Sequence, residues 1–69
     1  MNAEHEKTCR DLVAYIEQPV SDEARAGHIK GIGNYLFAEG GAALLREALE
    51  KVRTLGADMV LFERYWRRD

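Results

Sequence analysis

The chain has 69 residues, 46% of them hydrophobic and 32% charged, with a formal net charge of -2. That length fits one domain over residues 1–69, and the balanced charge excludes a basic nucleic-acid tail and an acidic disordered chain. A single proline and a single cysteine exclude collagen, proline-rich linkers and disulfide-stapled mini-proteins.

A chain this short builds one core with little to spare, and self-association is a common way to add burial at this size. Cys9 has no partner within the chain, which suits a reducing compartment or a small apolar core position. The longest apolar run, Leu12 to Ile16, is far too short to span a membrane. Met1 to Glu6 is polar and acidic and lacks the basic-then-apolar order of a signal peptide. These features lead to the expectation of a soluble cytoplasmic protein that does not engage a membrane.

Four amphipathic segments are marked off by helix breakers. The first runs from about Ala3 to Gln18, with Cys9, Leu12, Val13 and Ile16 at helical spacing and His5 one turn earlier on the same stripe. Pro19 disfavours helix at Gln18 and ends it. Ser21 is placed to cap the second segment, where Asp22 and Glu23 meet the positive helix end.

The second segment covers about Asp22 to Glu39. Ile29, Ile32 and Leu36 form an apolar line that His28, Tyr35 and Ala38 extend. Gly27, Gly31 and Gly33 each cost roughly 1 kcal/mol against alanine in a helix. They therefore imply either a kink near Gly31 to Asn34 or close packing of Gly27 and Gly31 against a neighbouring helix. Gly40-Gly41 ends the segment, one of the pair serving as a left-handed cap.

The third segment, about Ala42 to Leu55, has the broadest stripe: Leu44, Leu45, Ala48, Leu49, Val52 and Leu55, opposite Arg46, Glu47, Glu50, Lys51 and Arg53. Gly56 closes it. Asp58 caps a fourth segment, Met59 to about Arg67, in which Met59, Phe62 and Trp66 share one side with Leu61 and Tyr65 beside them. No second strand-like run exists to pair with Met59 to Phe62. The expected fold is all-α, a bundle of three to four short helices with the third as its central element.

The stretch Ile32-Gly33-Asn34-Tyr35-Leu36-Phe37-Ala38-Glu39-Gly40-Gly41, followed by Leu44-Leu45 and Leu55-Gly56, resembles small bacterial proteins that carry I-G-x-x-L-x-x-x-G-G before an apolar helix. In that group a leucine and an aromatic residue recur near the C-terminus, as Leu61 and Trp66 do here. The resemblance covers roughly residues 24 to 66 and implies an all-helical fold. It brings no assigned activity and no functional residues.

Few residues suggest chemistry. His5 and Cys9 form an i,i+4 pair, with His28 a third metal ligand if the second helix folds back onto the first. The bland alternative is a terminal turn in which Cys9 packs and His5 frays. Lys30-Gly31-Ile32-Gly33-Asn34 has the composition of a phosphate cradle but lies inside a helical segment with no strand before it. The carboxylates fall on polar faces and caps, no nucleophile–base pair stands out, and neither catalysis nor a cofactor is expected.

The run Arg64-Tyr65-Trp66-Arg67-Arg68 interleaves cations with rings, a composition suited to a partner contact on protein or nucleic acid. Leu45, Leu49, Val52 and Phe62 are candidates for a self-association face, because two adjacent apolar-rich helices are hard to cover within so short a chain. The expected function is a non-catalytic helical protein that works through protein–protein contacts, including a homodimer. A nucleic-acid-associated regulator using the C-terminal arginines and rings is the alternative, and a metal or small-ligand binder a second one.

Overall fold

In a computed structural model, which describes residues 1–67, the chain folds into three helices: α1 (Ala3–Ile16), α2 (Asp22–Thr54) and α3 (Met59–Trp66). The described residues hold no strand, and 82% of them are helical. None of these helices is long and apolar enough to cross a membrane. The packed chain measures 30 × 24 × 17 Å.

Each helix starts on a side-chain cap. Asn2 accepts from the His5 amide at 2.8 Å, Ser21 from the Ala24 amide at 3.1 Å and Asp58 from the Val60 amide at 3.1 Å. Each bond satisfies one of the donors that a helix N-terminus leaves orphaned. α1 stops at Ile16, two residues before the boundary its pattern suggests. Pro19 has no amide hydrogen to continue the ladder, and Arg25 of α2 takes the freed carbonyls, donating through Nε to Ile16 at 2.7 Å and through a terminal nitrogen to Gln18 at 2.8 Å. One guanidinium thus fastens the end of α1 to the start of α2.

The second and third sequence segments meet with no loop between them. α2 is continuous except at Gly41, whose φ of 68° and ψ of -162° lie far from helical values. That combination is essentially restricted to glycine, so Gly41 turns the chain by conformation alone. Two arms result, residues 22–40 and 42–54. The kink sits there and not near Gly31 to Asn34, which run helically through the first arm. Gly56, with φ 87°, ends the second arm.

α1 and α3 both pack on α2. The core joins Cys9, Leu12 and Val13 of α1, Ile29 and Leu36 of the first arm, Leu44, Leu45, Ala48 and Val52 of the second, and Phe62 and Trp66 of α3. The first arm buries Ile29, Gly33 and Leu36 and leaves His28, Tyr35 and Ala38 exposed. Its buried face is therefore rotated from the one its apolar residues suggest.

Glycine explains the rotation. A Cβ on Gly33 would lie 2.6 Å from both Cδ1 and Nε1 of Trp66, so only glycine leaves room for the indole. The ring is fixed there, its Nε1 donating to the Ile29 carbonyl at 2.7 Å and its plane edge-on to Phe62 with centroids 4.8 Å apart. Gly27 and Gly31 are exposed, and a Cβ on either would touch nothing within 4 Å. The packing role expected of those two belongs to Gly33.

Candidate functional site

The self-association candidates are mostly interior to one chain. Leu45 is 1% exposed, and Val52 and Phe62 are fully buried. Leu49 alone keeps partial exposure. The other three leave a second copy almost no surface to touch in the folded chain.

The C-terminal run also divides. Trp66 is 2% exposed and belongs to the core, which corrects its reading as a partner contact. The notch at Gly33 and the Ile29 carbonyl satisfy both its ring and its N–H, so no indole face is left for a base to stack on. Tyr65 is half-buried against the same core, while Arg64 and Arg67 are exposed. Arg68 lies outside the described residues.

His5, Cys9 and His28 do not converge. His5 is buried, with Nε2 3.3 Å from Glu39 Oε1 and its ring edge-on to Tyr35, so the first turn of α1 is held by a cross-helix contact and does not fray. Cys9 is fully buried, and desolvation raises its thiol pKa, opposed in part by the cation Lys51. His28 is exposed and stacks on Tyr15 with centroids 4.0 Å apart. Among the described residues no group of three or more His, Cys, Asp or Glu side chains is placed to hold a metal ion. Lys30 to Asn34 lie mid-helix, where the backbone amides are committed to the helical ladder and present no cradle.

What the fold does assemble is a groove of about 300 Å³ between the second arm of α2 and the end of α3. Ala42, Leu45, Leu49 and Trp66 supply its apolar lining; Arg46, Glu50, Arg53 and Arg67 supply its charged lining. Leu45 and Leu49 come to one side because they are an i,i+4 pair, and Arg46, Glu50 and Arg53 follow on the neighbouring strip of the same helix. Arg67 arrives from the far end of the chain because Trp66, one residue earlier, is anchored on the first arm.

The three cations are loosely held. Arg53 lies 3.8 Å from Glu50 and 3.6 Å from Glu63, and Arg67 lies 3.8 Å from the same Glu63 carboxylate. All these side chains are exposed, from 43% at Glu63 to 72% at Glu50, and exposed ion pairs at such distances contribute little. Among the described residues Arg46 makes no ion pair at all. The groove matches the low end of ligand-pocket volumes, room for one or two side chains rather than a large cofactor. In comparisons with known proteins, no family model, curated protein or solved structure matches this chain.

Proposed function

We propose that this chain is a small non-catalytic binding module whose groove takes a protein segment carrying an apolar anchor side chain flanked by carboxylates. The observation that supports this is the pairing of an apolar floor with three loosely held arginines around one cavity. Ala42 and Leu49, both partly exposed, offer the apolar surface for the anchor above the buried Leu45 and Trp66, and Arg46, Arg53 and Arg67 offer forked donors that suit carboxylate geometry. Arginine beside apolar and aromatic surface is also the composition of interface hot spots. The nucleic-acid alternative is weaker, because the ring it needs for stacking is spent in the core.

A selection from a random peptide display library tests the proposal, using the wild-type chain as bait and an Arg46→Glu/Arg67→Glu variant for counter-selection. Both substitutions are at exposed positions. The expected outcome is enrichment of peptides with Leu or Phe next to Asp or Glu. Their binding should perturb the amide resonances of Leu45 and Leu49, fall as salt rises, and weaken by about tenfold or more in the variant. Peptides that bind both chains equally would overturn the proposal, as would an empty selection. Oligonucleotide binding abolished by the same variant would replace it with the nucleic-acid reading.

A further inference from the structure

The geometry points to a second use of the Gly40-Gly41 break: it is a hinge at which α2 straightens, so that two copies of this chain exchange halves to form an intertwined dimer. The two arms of α2 are separated by one non-helical residue, Gly41. No loop has to be unravelled, and a change of φ and ψ at that single position makes one continuous helix. The other two connections, residues 17–21 and 55–58, each keep several residues outside the helices.

A second observation at the neighbouring residue points the same way. A Cβ on Gly40 would lie 2.6 Å from the Leu44 Cβ. In a straight helix, residues four apart hold their Cβ atoms about 5–6 Å apart. The bend has therefore driven residue 44 onto residue 40, and straightening removes the crowding. Both glycines are required by the closed chain, and neither is required by the open one.

The contacts that would be exchanged are plain. α1 and residues 22–40 form one half, tied internally by the Tyr15–His28 stack and by Arg25 on the end of α1. Residues 42–54 and α3 form the other, tied internally by Arg53 and Glu63. Between the halves run the Trp66–Ile29 hydrogen bond, the seat of Trp66 on Gly33 and the Lys51–Glu6 pair at 3.6 Å. In an exchanged dimer each of these re-forms across chains, so the core is conserved and only the hinge changes. This is also how Leu45, Val52 and Phe62, interior to one chain, become buried between two.

The test compares the wild type with Gly41→Ala, Gly40→Ala and Gly56→Ala after refolding at micromolar and millimolar concentration, with mass read by light scattering. Alanine at 40 or 41 penalises the bend and not the straight helix. Each dimer relieves two hinges, so the monomer–dimer constant should shift roughly a hundredfold toward dimer. Gly56→Ala also strains a positive φ but at the end of the second arm, and it should lower stability without dimerising.

In a dimer made from differently isotope-labelled chains, the Trp66 indole to Ile29 contact should appear between chains while Tyr15–His28 stays within one. The hinge is refuted if Gly41→Ala and Gly40→Ala remain monomeric at every concentration. It is refuted equally if Gly56→Ala dimerises as they do, or if the Trp66–Ile29 contact stays within a chain.

Discussion

Gly27, Gly31 and Gly33, three of the four glycines on the first arm of α2, form an internal control, because they share a helix and differ in what faces them. Replacing Gly27 or Gly31 by alanine adds a methyl that meets nothing within 4 Å. Each substitution should therefore return only the helix-propensity gain, up to about 1 kcal/mol. Replacing Gly33 places a methyl 2.6 Å from two atoms of the Trp66 indole, where carbon contacts prefer about 3.5–4.0 Å.

The ring has nowhere easy to go. It is 2% exposed, edge-on to Phe62, and hydrogen-bonded to the Ile29 carbonyl at 2.7 Å. Overpacking of this kind costs about 1–3 kcal/mol. If the ring swings aside, the broken buried hydrogen bond adds roughly 1–3 kcal/mol. Against these stands the same propensity gain of about 1 kcal/mol. The net expectation for Gly33→Ala is destabilisation by about 1–3 kcal/mol, a melting temperature lower by roughly 4–8 °C for each kcal/mol in so small a domain. Urea titrations followed by helix ellipticity and by fluorescence of Trp66, the one tryptophan of the chain, would measure it. The opposite sign at Gly27 and Gly31 is part of the claim. If Gly33→Ala stabilises the chain as much as the other two, the seating of Trp66 is wrong.

Two further predictions rest on single side chains. Burial raises the Cys9 pKa above its ordinary 9.0, so the folded chain retains a thiol proton that the unfolded chain loses. The associated stability is whole below pH 9 and declines as pH rises through 9 toward the folded value; Cys9→Ala should flatten that alkaline decline, and wild-type Cys9 should react with a thiol reagent only as fast as the chain opens. Arg25 is the donor seen on the Ile16 carbonyl and shares the Gln18 carbonyl with the Val20 amide, and lysine has no planar fork with which to reach both. Arg25→Lys should destabilise by roughly 1–3 kcal/mol, with amide exchange accelerating first in the last turn of α1; uniform acceleration along the chain would contradict the fastening role.

Most of the helical plan is legible in the chain because capping and periodicity agree. Ser21 and Asp58 cap where their positions suggest, and Leu44, Leu45, Ala48 and Val52 form the stripe that the heart of the core uses. The first arm departs from its pattern for a definite reason. Apolar patterning registers side chains, and Gly33 has none, so the apolar stripe runs through Ile32 and Tyr35 instead of through the notch that receives Trp66. His5 is a similar case: a polar residue in a first turn reads as frayed unless its partner Glu39, far along the chain, is known. Gly40-Gly41 reads as a stop, and the helix does break at Gly41, but with ψ -162° and not as the left-handed cap that the pair suggests. Whether the chain then wanders through a loop or pivots on one residue depends on how closely the second arm is drawn back onto the first, which tertiary packing decides.

The candidate groove was only half visible for the same reason. Its apolar lining lies on the predicted stripe of the second arm, and Arg46 and Arg53 lie on the predicted polar face, but nothing local brings Arg67 beside them. That meeting follows from Trp66 being locked onto Gly33. Every residue lining the groove nevertheless falls within 42–67, on one side of the hinge. Exchange of halves at Gly41 would therefore carry each groove across intact, built from a single chain in monomer and dimer alike. The two proposals are thus separable: peptide affinity per chain should be indifferent to association, and association indifferent to Arg46→Glu. Coupling between them would mean that Trp66, the one groove residue whose position depends on the opposite half, changes its seat when its Gly33 and Ile29 belong to another chain.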